Sequence, residues 1–192
     1  MPYTQAHKES SRQRILESAA KLFTRKGYEQ TSIDQVMTEA KLTRGAFYAH
    51  FRSKQDLYAQ AIANTPEFSQ LTAPKPDELS NQKWLRYLVN GYLHQDHVDE
   101  AETPCPLAFL VSDVALREPE ARAVYTDVYR KMNTLIRAYT RGDSQIDKET
   151  VLAVTAMMIG GVAVARTLDN DKLRRQLLQS CRQAALGLLG AE

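Results

Sequence analysis

Apolar residues recur at helical spacing along most of this chain of 192 residues. The first such segment carries the pattern in Ile15, Leu16, Ala19, Leu22 and Phe23. This spacing is typical of one buried face of an amphipathic helix, and Gly27 after two basic residues is typical of a helix end. No stretch shows the strict alternation, bounded by hairpin turns, that predicts β-strands. We therefore predict an all-α fold in which the first helix covers about residues 9–26.

Three short helices are predicted next, each with a polar residue at its start. Ser32 is the predicted N-cap of a helix over 33–40, Thr43 that of a helix reaching about His50, and Ser53 that of a helix beginning at Lys54. The segment NTPEFSQLTAPKPDELSN, residues 64–81, is polar, contains three prolines and predicts a loop. Longer helices are predicted at about 79–98, 106–117, 119–140, 147–167 and 170–189.

This organisation predicts two functional parts. Residues 1–53 form an N-terminal helix-turn-helix three-helix module, and residues 54–192 form a larger C-terminal helical domain for ligand binding and dimerisation. Residues 1–60 carry ten Lys or Arg against six Asp or Glu, whereas the remainder carries fifteen against seventeen. The positive excess in the first part favours a nucleic-acid partner for that part.

Composition excludes several other classes of protein. The hydrophobic fraction of 43% and the charged fraction of 25% are those of a folded soluble protein. The N-terminal sequence MPYTQAHKESSRQR lacks the apolar core of a signal peptide. The longest apolar run, residues 151–165, is shorter than the ~20 residues that span a bilayer, so we predict a buried helix, no membrane partner and a cytoplasmic protein.

The stretch LTRGAFYAHFRSKQDL, residues 42–57, combines basic and aromatic side chains in a few helical turns. Two short helices joined by a tight turn predict a helix-turn-helix, whose second helix enters the major groove of double-stranded DNA. Phe47 and Phe51 are predicted to face inward, and Arg44 to contact guanine while Gly45 permits close approach. The predicted DNA-binding residues are Thr31, Thr43, Arg44, Gly45, Tyr48, His50 and Lys54, of which Thr31, Tyr48, His50 and Lys54 are expected at phosphates.

The same residues carry a family resemblance. The run ILESAAKLFTRKGYEQTSIDQVMTEAKLTRGAFYAHFRSKQDLYAQAI resembles the DNA-binding domain of the TetR family of bacterial transcriptional regulators. Lys41 departs from the family pattern, because a glycine is common at this turn and a non-glycine residue with positive φ is strained. The resemblance implies a homodimeric repressor that is released from a pseudo-palindromic operator by a small-molecule effector.

The resemblance further implies a dimer formed through the last two helices. Residues 151–165 are apolar around nearly the whole helix, and Gly160 and Gly161 permit close helix approach. One face of the last helix carries Leu173, Leu177, Cys181, Ala184 and Leu188. The residues alone leave two alternatives open, a dimer interface and a core within one chain.

The implied effector pocket has aromatic and apolar candidates. Trp84, Leu88 and Tyr92 share one helix face, and Tyr125, Tyr129 and Met132 lie together on another helix. With Phe109 and Met157, they are candidates for ligand binding, and the alternative for each is an ordinary core position. The absence of an obvious charged anchor favours an apolar or reactive effector.

Cys105 is a further ligand-binding candidate. Pro106 suits the first helical position, which makes Cys105 the predicted N-cap, and a helix N-terminus stabilises a thiolate. Family members with a cysteine at the start of the sixth helix include sensors of electrophiles or oxidants, so a thiol-based sensor is an alternative function. The other alternative is a packing residue, and Cys181 is predicted to lie in the core.

Metal and enzyme chemistry are not predicted. His94 and His97 lie near several acidic residues, but two histidines without a third fixed ligand make a weak metal site, and a solvated helix end is favoured. The chain has no GxSxG elbow, P-loop or dinucleotide-binding glycine motif. We expect no cofactor and no enzymatic activity, while a helical enzyme and a protein-binding adaptor remain the alternatives from other classes.

Overall fold

The computed structural model describes residues 5–64, 75–99, 105–140 and 146–191, and every regular element in these ranges is an α-helix. The N-terminal helices are α1 (Gln5–Lys26), α2 (Ile33–Glu39), α3 (Arg44–Tyr48) and α4 (Lys54–Ala63). Next come α5 (Asn81–Tyr92), α6 (Gln95–Asp99), α7 (Pro106–Phe109) and α8 (Val111–Ala115). The long helices α9 (Pro119–Thr140), α10 (Lys148–Ala165) and α11 (Asp171–Leu188) complete the order. The predicted all-α fold, with its N-terminal helix-turn-helix and larger C-terminal helical part, is confirmed.

Packing divides the chain into two compact units. One comprises Met1–Phe68 and Ala101–Val128, and the other comprises Ser69–Glu100 and Tyr129–Glu192. The helix α4 packs against α1 and so belongs to the first unit. The functional boundary between residues 53 and 54 stays a prediction. Most of the predicted loop at 64–81 lies outside the described residues.

The first unit has a core built around α1. This helix packs against α2, α4 and α7, and α2 packs against α3. Ile15, Phe47, Leu57 and Tyr58 are fully buried there. Side-chain hydrogen bonds join α1 to α4 at the surface, where Arg12 donates to Gln60 and Asn64 donates to Gln13 at 3.0 Å.

The second unit is organised around the pair α10 and α11, which pack against each other along their length. Gly161 permits the close approach, since a Cβ at this position would lie 3.1 Å from Cys181 Sγ and 3.2 Å from Leu93 Cδ2. The α10 helix is long and apolar enough to cross a membrane by length and composition, with a mean hydropathy of 1.5 and 44% of its residues buried. The predicted buried helix is therefore buried on one face only within the protomer.

Two predicted helices are each divided in the structure. The helix expected at 79–98 breaks at Leu93 and His94. The carbonyl of Tyr92 is hydrogen-bonded to His97 Nδ1, and His94 Nδ1 instead accepts the N–H of Asp96 at 3.2 Å. These side-chain bonds replace the backbone bond that would continue the helix.

The helix expected at 106–117 breaks at Leu110, between α7 and α8. A continuous helix would pair the carbonyl of Leu107 with the N–H of Val111. The hydroxyl of Tyr125 donates to this carbonyl instead, at 2.6 Å. A side chain from α9 thus satisfies the carbonyl at the break.

Candidate nucleic-acid interface

The start of α2 is fixed by a reciprocal pair of hydrogen bonds. Ser32 Oγ accepts the N–H of Gln35 at 3.1 Å, and the N–H of Ser32 donates to Gln35 Oε1 at 2.9 Å. This is a capping box, and it satisfies backbone groups that a helix start leaves unpaired. The position of α2 after the loop at 27–32 is therefore determined locally, and the predicted N-cap is confirmed.

The turn between α2 and α3 has a left-handed residue at its centre. Lys41 has a φ of 55°, the conformation in which the family pattern has glycine. The N–H of Lys41 donates to Thr38, and the N–H of Leu42 donates to Met37 at 2.9 Å. From α1, the Arg14 guanidinium donates to the carbonyl of Ala40 at 2.5 Å and to that of Lys41 at 3.4 Å. The strained turn is thus held from two sides.

The inner face of α3 anchors it to the unit. Phe47 is 0% exposed and Phe51 is 2% exposed, with ring centres 5.8 Å apart. The prediction that these two rings face inward is confirmed. The helix itself ends at Tyr48, two residues before the predicted end at His50.

The outer face of α3 presents polar groups to solvent. Thr43, Arg44, Gly45 and Tyr48 are all exposed, and nothing but the hydroxyl of Thr43 lies within 4 Å of a Cβ placed on Gly45. Thr43 is the N-cap, but its side chain makes no capping hydrogen bond. The hydroxyl is therefore not committed to stabilising the helix.

Arg44 has a partner on the preceding helix. Its guanidinium donates to Asp34 Oδ2 at 2.9 Å, and about 60% of each side chain is exposed. A hydrogen bond with Tyr48 and then the Asp34 carboxylate raise the pKa of Arg44. Because exposed ion pairs are weak, this one leaves the guanidinium able to exchange Asp34 for another acceptor.

His50 and Lys54 lie at the edges of this surface, and both are partly buried. Burial, together with repulsion from Lys8 and Arg12, lowers the pKa of His50. Burial also lowers the pKa of Lys54, whose Nζ lies 4.1 Å from the centre of the Tyr28 ring. Lys54 is the first residue of α4, whose N-cap Ser53 accepts the N–H of Asp56 at 3.0 Å.

Thr31 differs from the sequence-based expectation of a phosphate contact. Its side chain is 1% exposed, and its hydroxyl donates to the carbonyls of Gly27 at 2.9 Å and Leu22 at 3.3 Å. The threonine therefore closes the end of α1 from inside the unit. Its hydroxyl is unavailable to DNA in this conformation.

Asp113 of α8 is a central residue that sequence reasoning missed. Its carboxylate accepts the hydroxyl of Tyr58 at 2.5 Å and the N–H of Tyr28 at 3.3 Å. Arg117 donates to Glu29 at 2.5 Å and lies 4.7 Å from the Tyr28 ring centre. These contacts attach α8 and Arg117 to the loop before α2 and to α4. Because the partners are 55 to 88 residues apart in sequence, no local pattern announces them.

The predicted ligand-binding residues fall in both units. The first unit contains Cys105, Phe109 and Tyr125, and the second contains Trp84, Leu88, Tyr92, Tyr129 and Met157. Trp84, Leu88 and Tyr92 are 4 to 6% exposed, so they lie on the buried face of α5 as their spacing predicted. Tyr129 bonds to Thr155 at 3.0 Å. The assignment of these residues to an effector pocket stays a prediction.

The two cysteines differ from the expected pattern of accessibility. Cys105 precedes Pro106 as the N-cap of α7, as predicted, but it is only 3% exposed and its thiol makes no capping hydrogen bond. Cys181 is partly exposed and not a core residue, and burial raises the pKa of its thiol. The burial of Cys105 therefore argues against the alternative function as a thiol-based sensor.

His94 and His97, for which the sequence favours a solvated helix end over a metal site, have structural roles. His94 Nδ1 lies 3.2 Å from Asp96, while His97 is buried against Tyr92. Within the described ranges, no cluster of three or more His, Cys, Asp or Glu side chains could hold a metal ion.

Comparison with known proteins agrees with this geometry. Residues 15–61 match the family model for bacterial regulatory proteins of the tetR family. The HTH-type transcriptional regulator AcrR of Shigella flexneri is 39% identical over 57 residues, which cover 30% of this chain and 26% of AcrR. The HTH-type transcriptional regulator LmrA of Bacillus subtilis (strain 168) is 24% identical over 171 residues, covering 84% and 89% of the two chains.

This chain spans only 15 to 26% of the length of three curated relatives that it matches locally. The likeness to each of them is confined to one segment. The likeness of fold is broader. The crystal structure of a TetR transcriptional regulator from Chloroflexus aurantiacus superposes with a TM-score of 0.80 at 19% identity, covering 98% of both chains. Taken with the matched helix-turn-helix and the relative that is matched over most of both chains, this likeness of fold supports a TetR-family regulator.

Proposed function

We propose that the protein is a transcriptional regulator that binds a pseudo-palindromic DNA operator as a homodimer and represses until an effector releases it. The observation that carries the proposal is the outer face of α3. There Arg44, Gly45 and Tyr48 are exposed on a helix whose opposite side carries the buried Phe47, and the buried Phe51 follows the helix end. A rigid short helix with an exposed guanidinium fork suits guanine recognition in the major groove.

DNA recognition is tested with a duplex that the unaltered protein selects from a pool with a randomised central window. Arg44→Ala should relax the selected sequence preference, since one bidentate contact contributes roughly 1–3 kcal/mol of discrimination. Arg122→Ala is a matched control, because Arg122 is an exposed arginine on α9. A selected sequence that is the same for Arg44→Ala as for the unaltered protein would contradict the assignment of α3.

A dimer is supported by the solvent-facing side of α10. The exposed or partly exposed residues of α10 after Thr150 are Leu152, Ala153, Ala156, Met157, Gly160, Ala163 and Val164. None is charged, and the sequence of α10 has no charged residue after Glu149. On α11, Leu173 and Leu188 are also 46 to 49% exposed. A continuous apolar face of this kind is typical of a protein interface, and we assign it to a second copy of the chain.

The oligomeric state tests this assignment. Val164→Asp places a charge on the apolar face of α10, where 49% of the valine is exposed, so the protein should become monomeric in sedimentation analysis. Leu116→Asp is the control, because Leu116 is 78% exposed and lies in the other unit. Dimers that persist in Val164→Asp at micromolar concentration would argue for another interface.

The effector is proposed to be an apolar or reactive small molecule that binds near α5. Trp84 is 6% exposed and stacks on Tyr87 with ring centres 5.1 Å apart, and its Nε1–H has no hydrogen-bond partner among the described residues. Because Trp84 is the chain's single tryptophan, its fluorescence reports on this region alone. A compound that releases operator DNA without changing Trp84 emission would exclude this location.

The relatives are named transcriptional regulators, which supports a protein that is not an enzyme. A DNA-binding regulator of this kind is expected in the bacterial cytoplasm, in contact with its operator. Binding to duplex DNA that weakens steeply with salt separates this function from those of an enzyme or a protein-binding adaptor.

A further inference from the structure

We infer that a groove between the first turns of α1 and the turn before α3 binds phosphates of the operator backbone, so that α1 extends the DNA contact beyond the recognition helix. The inference rests on the proposed function, because it assigns a second contact surface on the same duplex. Lys8 and Lys41 supply the phosphate-binding cations.

The groove has a volume of about 770 Å³. It is lined by His7, Lys8 and Ser11 from α1 and by Lys41, Leu42, Thr43, Gly45, Ala46, Ala49 and His50 from the turn and α3. Thr43 and Gly45 belong to both this lining and the exposed outer face of α3. A duplex whose major groove receives α3 therefore places its flanking backbone beside the groove.

The charge of the lining is complementary to DNA. It contains two lysines and two histidines and no acidic residue. The ammonium groups of Lys8 and Lys41 form no hydrogen bond or ion pair within the described part of the chain, and both residues are exposed. Cations left without an internal partner are available to phosphates, whereas Arg44 must first leave Asp34.

The backbone at Lys41 is a second, independent observation. A lysine occupies the left-handed conformation, with a φ of 55°, where glycine would be free of the steric penalty. Arg14 nevertheless holds the carbonyls of Ala40 and Lys41 in place. Strained residues held by their surroundings cluster at functional sites. A role for the Lys41 side chain at the rim of the groove accounts for the retention of this strain.

Phosphate is the part of DNA that fits these groups. Lysine is a flexible point charge suited to phosphate oxygens, whereas base recognition uses planar or bidentate groups. Contacts of this kind add affinity and salt dependence without adding sequence preference. Loss of the groove lysines should therefore reduce affinity and salt dependence, whereas loss of Arg44 should relax sequence preference.

The test measures salt dependence of binding to the duplex selected by the unaltered protein. Lys8→Gln and Lys41→Gln should each reduce the slope of log K against log salt by about 0.9, and the double variant by about twice that amount. The ranking of selected sequences should not change. Lys26→Gln is the matched control, because Lys26 is an exposed lysine of α1 outside the groove, and its slope should equal that of the unaltered protein.

Two substitutions at Lys41 separate charge from backbone strain. Lys41→Gly removes both the positive charge and the backbone strain. It should therefore raise the melting temperature while reducing the slope of log K against log salt as Lys41→Gln does. Lys41→Arg keeps both, so it should retain the slope. A circular dichroism spectrum of each variant verifies the helical fold before binding is measured.

The outcomes distinguish the inference from the proposed function. If the unaltered protein binds duplex DNA with a steep salt slope that Lys8→Gln and Lys41→Gln leave unchanged, the groove is refuted and the proposed function stands. A reduction as large in Lys26→Gln also refutes the groove, because the effect is then one of overall charge. No salt-dependent duplex binding by the unaltered protein refutes both.

Discussion

The hydrogen bond between Tyr58 and Asp113 is the contact whose removal we expect to be most informative. Tyr58 is 0% exposed, and its hydroxyl donates to the Asp113 carboxylate at 2.5 Å. Tyr58→Phe removes the donor and keeps the ring, which packs edge-on against Phe23 with ring centres 4.9 Å apart. The change therefore isolates one hydrogen bond in the attachment of α8 to α4.

The expected cost follows from what remains around the carboxylate. After the substitution, Asp113 retains the N–H of Tyr28 at 3.3 Å and the guanidinium of Arg117 at 3.9 Å, both longer than the lost bond. About 20% of the Asp113 side chain is exposed, so water replaces the hydroxyl only in part. A hydrogen bond to a charged group contributes roughly 1.5–3 kcal/mol, and we expect the free energy of unfolding to fall by about 2 kcal/mol.

Urea unfolding followed by circular dichroism measures this loss, which corresponds to a decrease of roughly 4–8 °C in melting temperature for a chain of this size. Tyr48→Phe is the control, because Tyr48 is 61% exposed and its loss should stay within about 0.5 kcal/mol. A double-mutant cycle with Asp113→Ala should give a coupling energy of about 1–2 kcal/mol. A coupling near zero would show that the hydroxyl does not stabilise the carboxylate.

The same pair predicts a dependence on alkaline pH. Burial, and then the hydrogen bond with Asp113, raise the pKa of Tyr58 above its ordinary value of 10.0. Above that pH the unfolded chain loses the proton while the folded chain keeps it, so this stabilisation is complete below pH 10.0 and is lost as pH rises further. Tyr58→Phe should lose less stability than the unaltered protein between pH 9 and pH 11, both flanking the ordinary value of 10.0. Equal losses would contradict the assigned cause.

Three further substitutions or labelling experiments test local features. Ser32→Ala should lower the free energy of unfolding in urea by about 1 kcal/mol, because its capping box is lost. Thr43→Ala should lower it less, since Thr43 makes no capping hydrogen bond. Equal losses would contradict the cap assignment. In the monomeric Val164→Asp background, Gly160→Ala should add up to about 1 kcal/mol of helix propensity, because nothing in the protomer lies within 4 Å of the new Cβ. Gly161→Ala should be less stable, because its Cβ meets side chains at 3.1 and 3.2 Å. The reverse order in thermal unfolding would show that α10 packs differently. Cys105 should react with iodoacetamide more slowly in the folded protein than in urea, because it is 3% exposed. Equal alkylation rates in peptide mass mapping would instead support Cys105 as a thiol sensor.

The sequence alone was enough for those features that depend on neighbouring residues. The caps at Ser32 and Ser53 and the inward faces of Phe47 and Phe51 all follow from side chains and backbone groups three or four positions apart. A helix brings such positions together whatever the rest of the chain does. The positive φ of Lys41, by contrast, is implied by the family resemblance, in which a glycine is common at this turn.

Only the tertiary structure decided which distant groups meet. Asp113 meets Tyr58 across 55 residues, and Arg14 meets the carbonyl of Ala40 across 26. Likewise, the hydroxyl of Tyr125 donates to the carbonyl of Leu107 in α7, which lies 18 residues earlier in the chain. Each of these polar groups could form a hydrogen bond either with a neighbour in sequence or with a distant residue. The packing of whole helices determines which of the two partners lies within hydrogen-bonding distance.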